Sequence, residues 1–273
     1  NGTAYTFTVR ATNSIGQSAE SALSNAVTPL IITTWDGAAW SNGTPTASVD
    51  AIIAGDYSVA GNITAKTLTI NNNAIVTIPS GSNVTVTGSV MVTEPATLTL
   101  NNNANLIQLN NTTNTGAITV KRNSNPLFRL DYTMWSSPVS GTQTLAQFSP
   151  LTSQSPNRFF NYNSVTNLYA TVSPSIPFSK GLGYLIRMPN TDPTPNYDGG
   201  TATLTYNGEF TGVPNNGTIN LTTVPNKYNA VGNPYPSLLD AELFKISNAD
   251  INTLYFWRKT NNLNQGTTPT TSY

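Results

Sequence analysis

The sequence predicts an all-β chain: a terminal hairpin, a short β-solenoid-like repeat segment, then a jelly-roll-like β-sandwich with one short helix. Three observations carry that expectation. Apolar residues alternate with Thr and Ser in short runs, the period that buries one face of a strand. An eight-residue segment recurs almost unchanged 30 positions further on. The 273 residues include 43 Thr, 36 Asn and 24 Ser but only 9% charged residues, against a usual share of about 25%. Exposed faces are therefore solvated by hydroxyls and amides.

Composition also excludes chemistry. The chain has no Cys and no His, so it has no disulfide, no thiolate nucleophile, no Cys- or His-ligated metal and no His-based relay. Twelve basic residues balance twelve acidic ones, which gives no electrostatic footprint for nucleic acid. No apolar run approaches the ~18 residues of a membrane span, and the strands lack the apolar outer face and aromatic girdles of a membrane barrel. Neither a nucleic-acid partner nor membrane insertion is expected. The chain opens in what reads as mid-strand and is expected to be a piece of something longer.

In residues 1–29, Tyr5, Phe7, Val9 and Ala11 alternate with Thr6, Thr8, Arg10 and Thr12. Asn13-Ser14-Ile15-Gly16 supplies a turn, and Ser24 to Val27 reads as the return strand. Tyr-x-Phe-x-Val-x-Ala, then Asn, Gly and Ser-Asn-Ala-Val, resembles the last two strands of a fibronectin type III module. The resemblance makes Tyr5 the corner tyrosine of that fold. So small a piece cannot bury a core, and it is expected to be ordered by packing on its neighbour.

Residues 30–112 form the expected solenoid. At its start Trp35 and Trp40 lie five apart in a turn-rich stretch, either as a platform for sugar rings or as a plug on the open end of the repeat. Thr67-Leu68-Thr69-Ile70-Asn71-Asn72-Asn73-Ala74 recurs as Thr97-Leu98-Thr99-Leu100-Asn101-Asn102-Asn103-Ala104. Short strands with Asn- and Gly-rich corners are the pattern of stacked coils. The offset is one large coil or two small ones. It is expected to place Leu68 over Leu98 inside and Asn72 over Asn102 in a corner ladder of amides. Both ends need caps.

Residues 113–273 carry most of the aromatics. Strands are expected at 117–122, 127–135, 158–161, 183–188, 201–206, 218–224, 228–231 and 253–258, separated by Pro and Gly. One helix follows Pro236, with Ser237 as cap and Leu239 and Leu243 on one face. Asn233-Pro234-Tyr235-Pro236 reads as a rigid turn in which either proline bond could be cis. The loop from Asn190 to Gly200 carries Asp192, Tyr197 and Asp198. It is a polar hairpin tip, or a set of oxygen ligands for calcium, for which the spacing is a weak signal. In the last strand Phe256 faces in, while Tyr255 and Trp257 face the other way to pack or to grip a saccharide. The candidate ligand-contacting residues are thus Trp35, Trp40, Tyr197, Tyr255 and Trp257. No catalytic set, metal site or cofactor emerges. Asp240 and Glu242 diverge on a helix, Ser136 and Ser137 have no Lys base, and residues 51–112 hold only Asp56, Lys66 and Glu94 as charges.

Four runs occur in order: Tyr132-Thr133-Met134-Trp135-Ser136-Ser137-Pro138-Val139, Gly181-Leu182-Gly183-Tyr184-Leu185-Ile186, Tyr228-Asn229-Ala230-Val231-Gly232-Asn233-Pro234-Tyr235-Pro236-Ser237 and Leu254-Tyr255-Phe256-Trp257. Together they look like the β-sandwich module of large secreted proteins of Bacteroidota-type bacteria. Such chains combine it with fibronectin type III modules and β-repeats, and often end in a sorting domain for type IX secretion, of which none is visible here. The resemblance implies an extracellular, cell-surface location, with the outer-membrane secretion machinery as partner. The expected function is a non-catalytic structural or adhesive segment whose polar, aromatic surface suits polysaccharide. The alternative is an accessory carbohydrate-binding or spacer region of an extracellular hydrolase.

Overall fold

The computed structural model describes residues 3–29 and 31–259. Residues 3–29 form an open hairpin. At its tip β1 (Thr12–Asn13) pairs with β2 (Gly16–Gln17), and Asn13 Oδ1 accepts the N–H groups of Ile15 and Gly16. The return leg advances three residues for every two of its partner. Backbone bonds join Ser18 to Ala11, Ser21 to Val9, Ser24 to Phe7 and Val27 to Tyr5. The three serine hydroxyls fill the mismatch, accepting from Ala11, Val9 and Phe7 N–H at 3.0 Å. Every described side chain of this hairpin is exposed. The expected packing on a neighbour is not observed: the hairpin is held by its own backbone and serine bonds.

The repeat is a three-sided solenoid. A first strand, β3 (Ile32–Trp35), pairs in parallel with β4 (Asp50–Ile53). After β5 (Ile63–Ala65) come two full coils: β6 (Leu68–Ile70), β7 (Ile75–Ile78) and β8 (Asn83–Val86), then β9 (Val90–Val92), β10 (Thr97–Leu100) and β11 (Asn105–Gln108). All pairing between coils is parallel. The sides are β3-β4-β6-β9, then β7-β10 and onward, and β5-β8-β11. Leu68 pairs with Val90, Ile75 with Thr97 and Asn83 with Asn105, so one coil takes 22 residues.

That coil length corrects the expected stacking. The 30-residue offset spans one coil plus one side, so the duplicated segments occupy different corners. Leu68 stacks between Ala51 and Val90, and Leu98 sits beside Val76. Asn72 does not stack on Asn102. The triplets are corner formers, with Asn72 and Asn73 at φ 53° and 63° and Asn103 at 64°. Asn tolerates this left-handed region better than other side-chain-bearing residues. Turn bonds Ala74 N to Asn71 O and Ala104 N to Asn101 O close both corners. An amide ladder does exist, but of other residues, just past the corner that the second triplet turns: Asn62 Oδ1 accepts the Asn83 N–H at 2.9 Å, and Asn105 Nδ2 donates to Asn83 Oδ1 at 2.8 Å.

The sandwich grows out of the solenoid. β12 (Ile118–Phe128) begins as the next parallel strand beside β10, then continues past it. Beyond a tight turn come β13 (Tyr132–Trp135), β14 (Val139–Ser140), helix α1 (Leu145–Phe148), β15 (Phe159–Asn163), β16 (Leu168–Thr171), β17 (Tyr184–Arg187), β18 (Thr203–Pro214) and helix α2 (Ala241–Ser247). β18 pairs antiparallel with β12, which extends the solenoid side into a five-stranded sheet, β7-β10-β12-β18-β14. A second antiparallel sheet, β13-β17-β15-β16, faces it. Between them Phe210 stacks on Phe148 at 4.5 Å and Trp135 meets Phe148 at 5.0 Å. One apolar core runs without a break from Ala51 to Phe210.

Several expected elements differ. The 127–135 strand is broken by a turn in which Asp131 N–H reaches Phe128 O. Residues 218–224, 228–231 and 253–258 form no strand. Residues 228–231 make only an isolated bridge, Val231 to Leu182, and Phe256, expected inside, is 79% exposed. Asp240, not Ser237, caps α2, accepting the N–H groups of Glu242 and Leu243 at 2.9 Å. Leu239 therefore lies outside that helix, and none of its residues is buried. The second helix, α1, closes on a Thr144–Gln147 capping box. The cis bonds precede Pro95 and Pro156 rather than Pro234 or Pro236.

Candidate functional site

The five candidate aromatics do not form one site. Trp35 ends β3 directly over Ile53, so its ring continues the interior row Ile53, Ile70, Val92. It meets Trp40 at 5.6 Å and Tyr57 at 5.1 Å, and its Nε1 donates to Asp56 O at 2.9 Å. The rings are mutually tilted and packed on the core. This is the geometry of a plug on the solenoid mouth. Burial pushes the Tyr57 phenol above its ordinary pKa. Beside the plug, the N–H groups of Ala39 and Ala38 hold the Asp36 carboxyl below the usual range.

Tyr197 is fully buried, and its hydroxyl donates to Pro189 O at 2.8 Å. Its loop turns Asp198 Oδ1 onto the Asp192 N–H and Asp192 Oδ1 onto the Thr194 N–H. The carboxylates thus serve the loop. Among the described residues no three acidic side chains gather as metal ligands. Tyr255 is 72% exposed and sets its edge on Tyr228 at 5.5 Å, while Trp257 is half-buried.

Sequence reasoning missed two surfaces. The register of the second sheet puts Tyr132, Phe160, Tyr162 and Tyr169 on its outer face, opposite the buried Trp135, Tyr184 and Phe159. Tyr132 meets Phe160 at 5.9 Å and Tyr162 meets Tyr169 at 5.4 Å. The adjacent pair Phe159-Phe160 signalled it, because neighbouring strand residues point to opposite faces. The other surface is a row of outward threonines, Thr77, Thr99, Thr119 and Thr211, on four consecutive strands. It leads to a shallow groove of about 560 Å³ lined by Ser140, Gln143, Gln147 and Val213. The first surface offers ring faces and phenol hydroxyls to a ligand, the second hydroxyls and side-chain amides.

The solenoid's far end is closed by the segment around Pro236. Pro236 O accepts the Leu106 N–H at 2.8 Å, and Asn105 Oδ1 accepts the Leu238 N–H at 3.1 Å. Arg122, whose guanidinium pKa burial lowers, donates to Ala104 O and Pro236 O. The class is thereby defined: an all-β protein in which a plugged solenoid and a sandwich share one sheet and one core. Residues 30–272 match the family described as Domain of unknown function (DUF8693), and the chain belongs to that family. The match takes in solenoid and sandwich together. No curated protein and no solved structure matches the chain.

Proposed function

We propose that this chain is a non-catalytic structural and adhesive segment of a large secreted cell-surface protein, and that its outer aromatic face contacts polysaccharide. The observation that carries the reading is β12. It pairs in parallel with β10 and antiparallel with β18, so solenoid and sandwich are one support. A continuous sheet and core suit a spacer that must hold a contact surface at fixed distance. Half-exposed aromatic rings on one outer face and a row of hydroxyls on the other suit sugars, which have apolar ring faces and polar rims. Type IX export and attachment outside the cell belong to the same proposal and rest on the modular resemblance. The test is the intact mass and terminal peptides of the native polypeptide, with its protease accessibility on intact cells. Accessible protein with further non-catalytic β-modules is the expected result. A neighbouring domain with paired carboxylates or a metal site makes this segment the accessory part of a hydrolase. Full protection on intact cells overturns the surface location.

A further inference from the structure

Three of the chain's six arginines gather at one edge of the outer aromatic face. Phe159 pairs with Ile186, and the Arg187 N–H donates to Arg158 O at 3.2 Å, so Arg158 and Arg187 stand directly opposite each other on β15 and β17. Such neighbours have Cβ atoms about 4.5–5.5 Å apart, and like charges placed there repel. Tyr132 occupies the opposite position on the other side of Arg187. Arg129 approaches from the turn before β13. Burial pushes the Arg187 guanidinium below its ordinary pKa; Arg158 and Arg129 push it the same way, while Tyr132 and Tyr197 oppose.

Among the described residues, no carboxylate pairs with any of the three guanidiniums. Asp131 is taken by Lys259 at 3.7 Å and by the Phe128 N–H. Asp192 and Asp198 are spent on their own loop. All three Nε–H groups are shielded from solvent and have no hydrogen-bond partner. Arg187 Nη2 alone reaches a side chain, Asn190 Oδ1. A chain with so few charges thus concentrates three cations with unmet donors beside aromatic rings. Guanidinium forks match the paired oxygens of carboxylate and sulfate, and an adjacent ring face suits a pyranose.

We propose that Arg129, Arg158 and Arg187 bind the anionic group of an acidic polysaccharide, a uronate carboxylate or a sulfate ester, with Tyr132 and Phe160 against the sugar ring. The inference rests on the reading that this chain contacts glycans, and it names their class. The experiment is affinity electrophoresis of the full 273-residue chain through gels containing polygalacturonate, dextran sulfate, neutral dextran or double-stranded DNA. It is run alongside the Arg158→Gln/Arg187→Gln variant. The expected result is retardation by polygalacturonate or dextran sulfate, with the stronger one identifying the anion. Dextran and DNA do not retard, and the variant binds at least tenfold more weakly while melting at an equal or higher temperature, because repulsion is relieved. If the double variant fails to fold, Arg158→Gln carries the test, since that side chain makes no hydrogen bond within the described residues. Retardation that the variant leaves unchanged, or equal retardation by DNA, overturns the arginine site. Retardation by neutral dextran alone overturns it and leaves glycan contact standing. No retardation by any glycan overturns both.

Discussion

Gln108 and Asn114 hold each other through two reciprocal amide hydrogen bonds, Nε2 to Oδ1 at 2.9 Å and Nδ2 to Oε1 at 2.7 Å. Gln108 stands in the interior row that begins with Ala65 and Val86. The lumen therefore turns polar where the last full coil ends. Asn114, itself buried, also accepts the Val90 N–H at 2.9 Å and donates to Pro214 O at 3.0 Å. One amide thus ties two coils to the sandwich strand, with every group satisfied, as a buried polar network requires.

Replacing Asn114 by Ala takes this partner from the Val90 N–H, the Pro214 carbonyl and Gln108 Oε1, while Gln108 Nε2 keeps Gly88 O. We expect a loss of about 2–4 kcal/mol, since each buried orphan costs about 1–3 kcal/mol and neighbours partly relax. The Gln108→Leu/Asn114→Leu variant should lose clearly less than its two single variants summed, because it removes both halves of the pair. Urea unfolding of the four proteins gives the comparison. Strict additivity would sink the idea of a coupled pair.

Gly116 turns the chain under β9, next to the bridge between Met91 and Thr115. Its φ is +82°, and an added Cβ would lie 1.9 Å from the Val92 carbonyl oxygen. Gly81 has a similar φ, +80°, but open space around it. Gly81→Ala should cost only the left-handed penalty, about 1–2 kcal/mol. Gly116→Ala adds a backbone collision and should cost about 2–5 kcal/mol. Equal melting temperatures for the two variants would contradict this reading.

The all-β class was legible because alternation and turn residues are local signals. Leu68, Ile70, Leu98 and Leu100 all point inward, as their period demands. The coil length was not legible. Nothing in Thr67–Ala74 or Thr97–Ala104 says which of three sides each occupies, since an inward Leu or Ile fits any side and a left-handed Asn turns two different corners, at Asn72-Asn73 and at Asn103. Strands at Leu168 and Val139 escaped notice because each is a short edge piece paired to one partner. The site was harder still. Arg158 and Arg187 become neighbours only through the register of β15 on β17, and Tyr197 looked available only because the fold that buries it was unknown.

Both ends of residues 50–112 are covered by chain outside that range. Asp50 N–H bonds Ile31 O and Ala54 N–H bonds Trp35 O at the first end, while Leu106 N–H bonds Pro236 O at the other. Cutting these segments away bares parallel edges with few charges to guard them. A 50–112 fragment should therefore stay unfolded or aggregate, whereas residues 31–259 should melt cooperatively as a monomer. Circular dichroism with sedimentation checks both. A cooperative, monomeric melt of the short fragment would refute the role given to the caps.

Stability should be flat through neutral pH and fall in alkali. With no His, no side chain has an ordinary pKa between pH 5 and 8. Burial raises the phenol pKa of Tyr57, Tyr197, Tyr206 and Tyr235 above the ordinary 10.0. Three of them donate to backbone carbonyls: Tyr197 to Pro189, Tyr206 to Phe148 and Tyr235 to Gly217. The folded chain keeps these protons at a pH where the unfolded chain has lost them, so unfolding releases protons and is favoured as pH rises. Their contribution is complete below pH 10 and drains away above it, toward the raised folded values. Absorbance at 295 nm should count fewer than the full 12 tyrosines ionising before the fold is lost, the remainder appearing with the unfolding transition. Urea midpoints at pH 7, 9, 10 and 11 should hold steady over the first two and drop over the last two. Ionisation of all the tyrosines near pH 10 in a still-folded chain would show that these phenols are not held by burial.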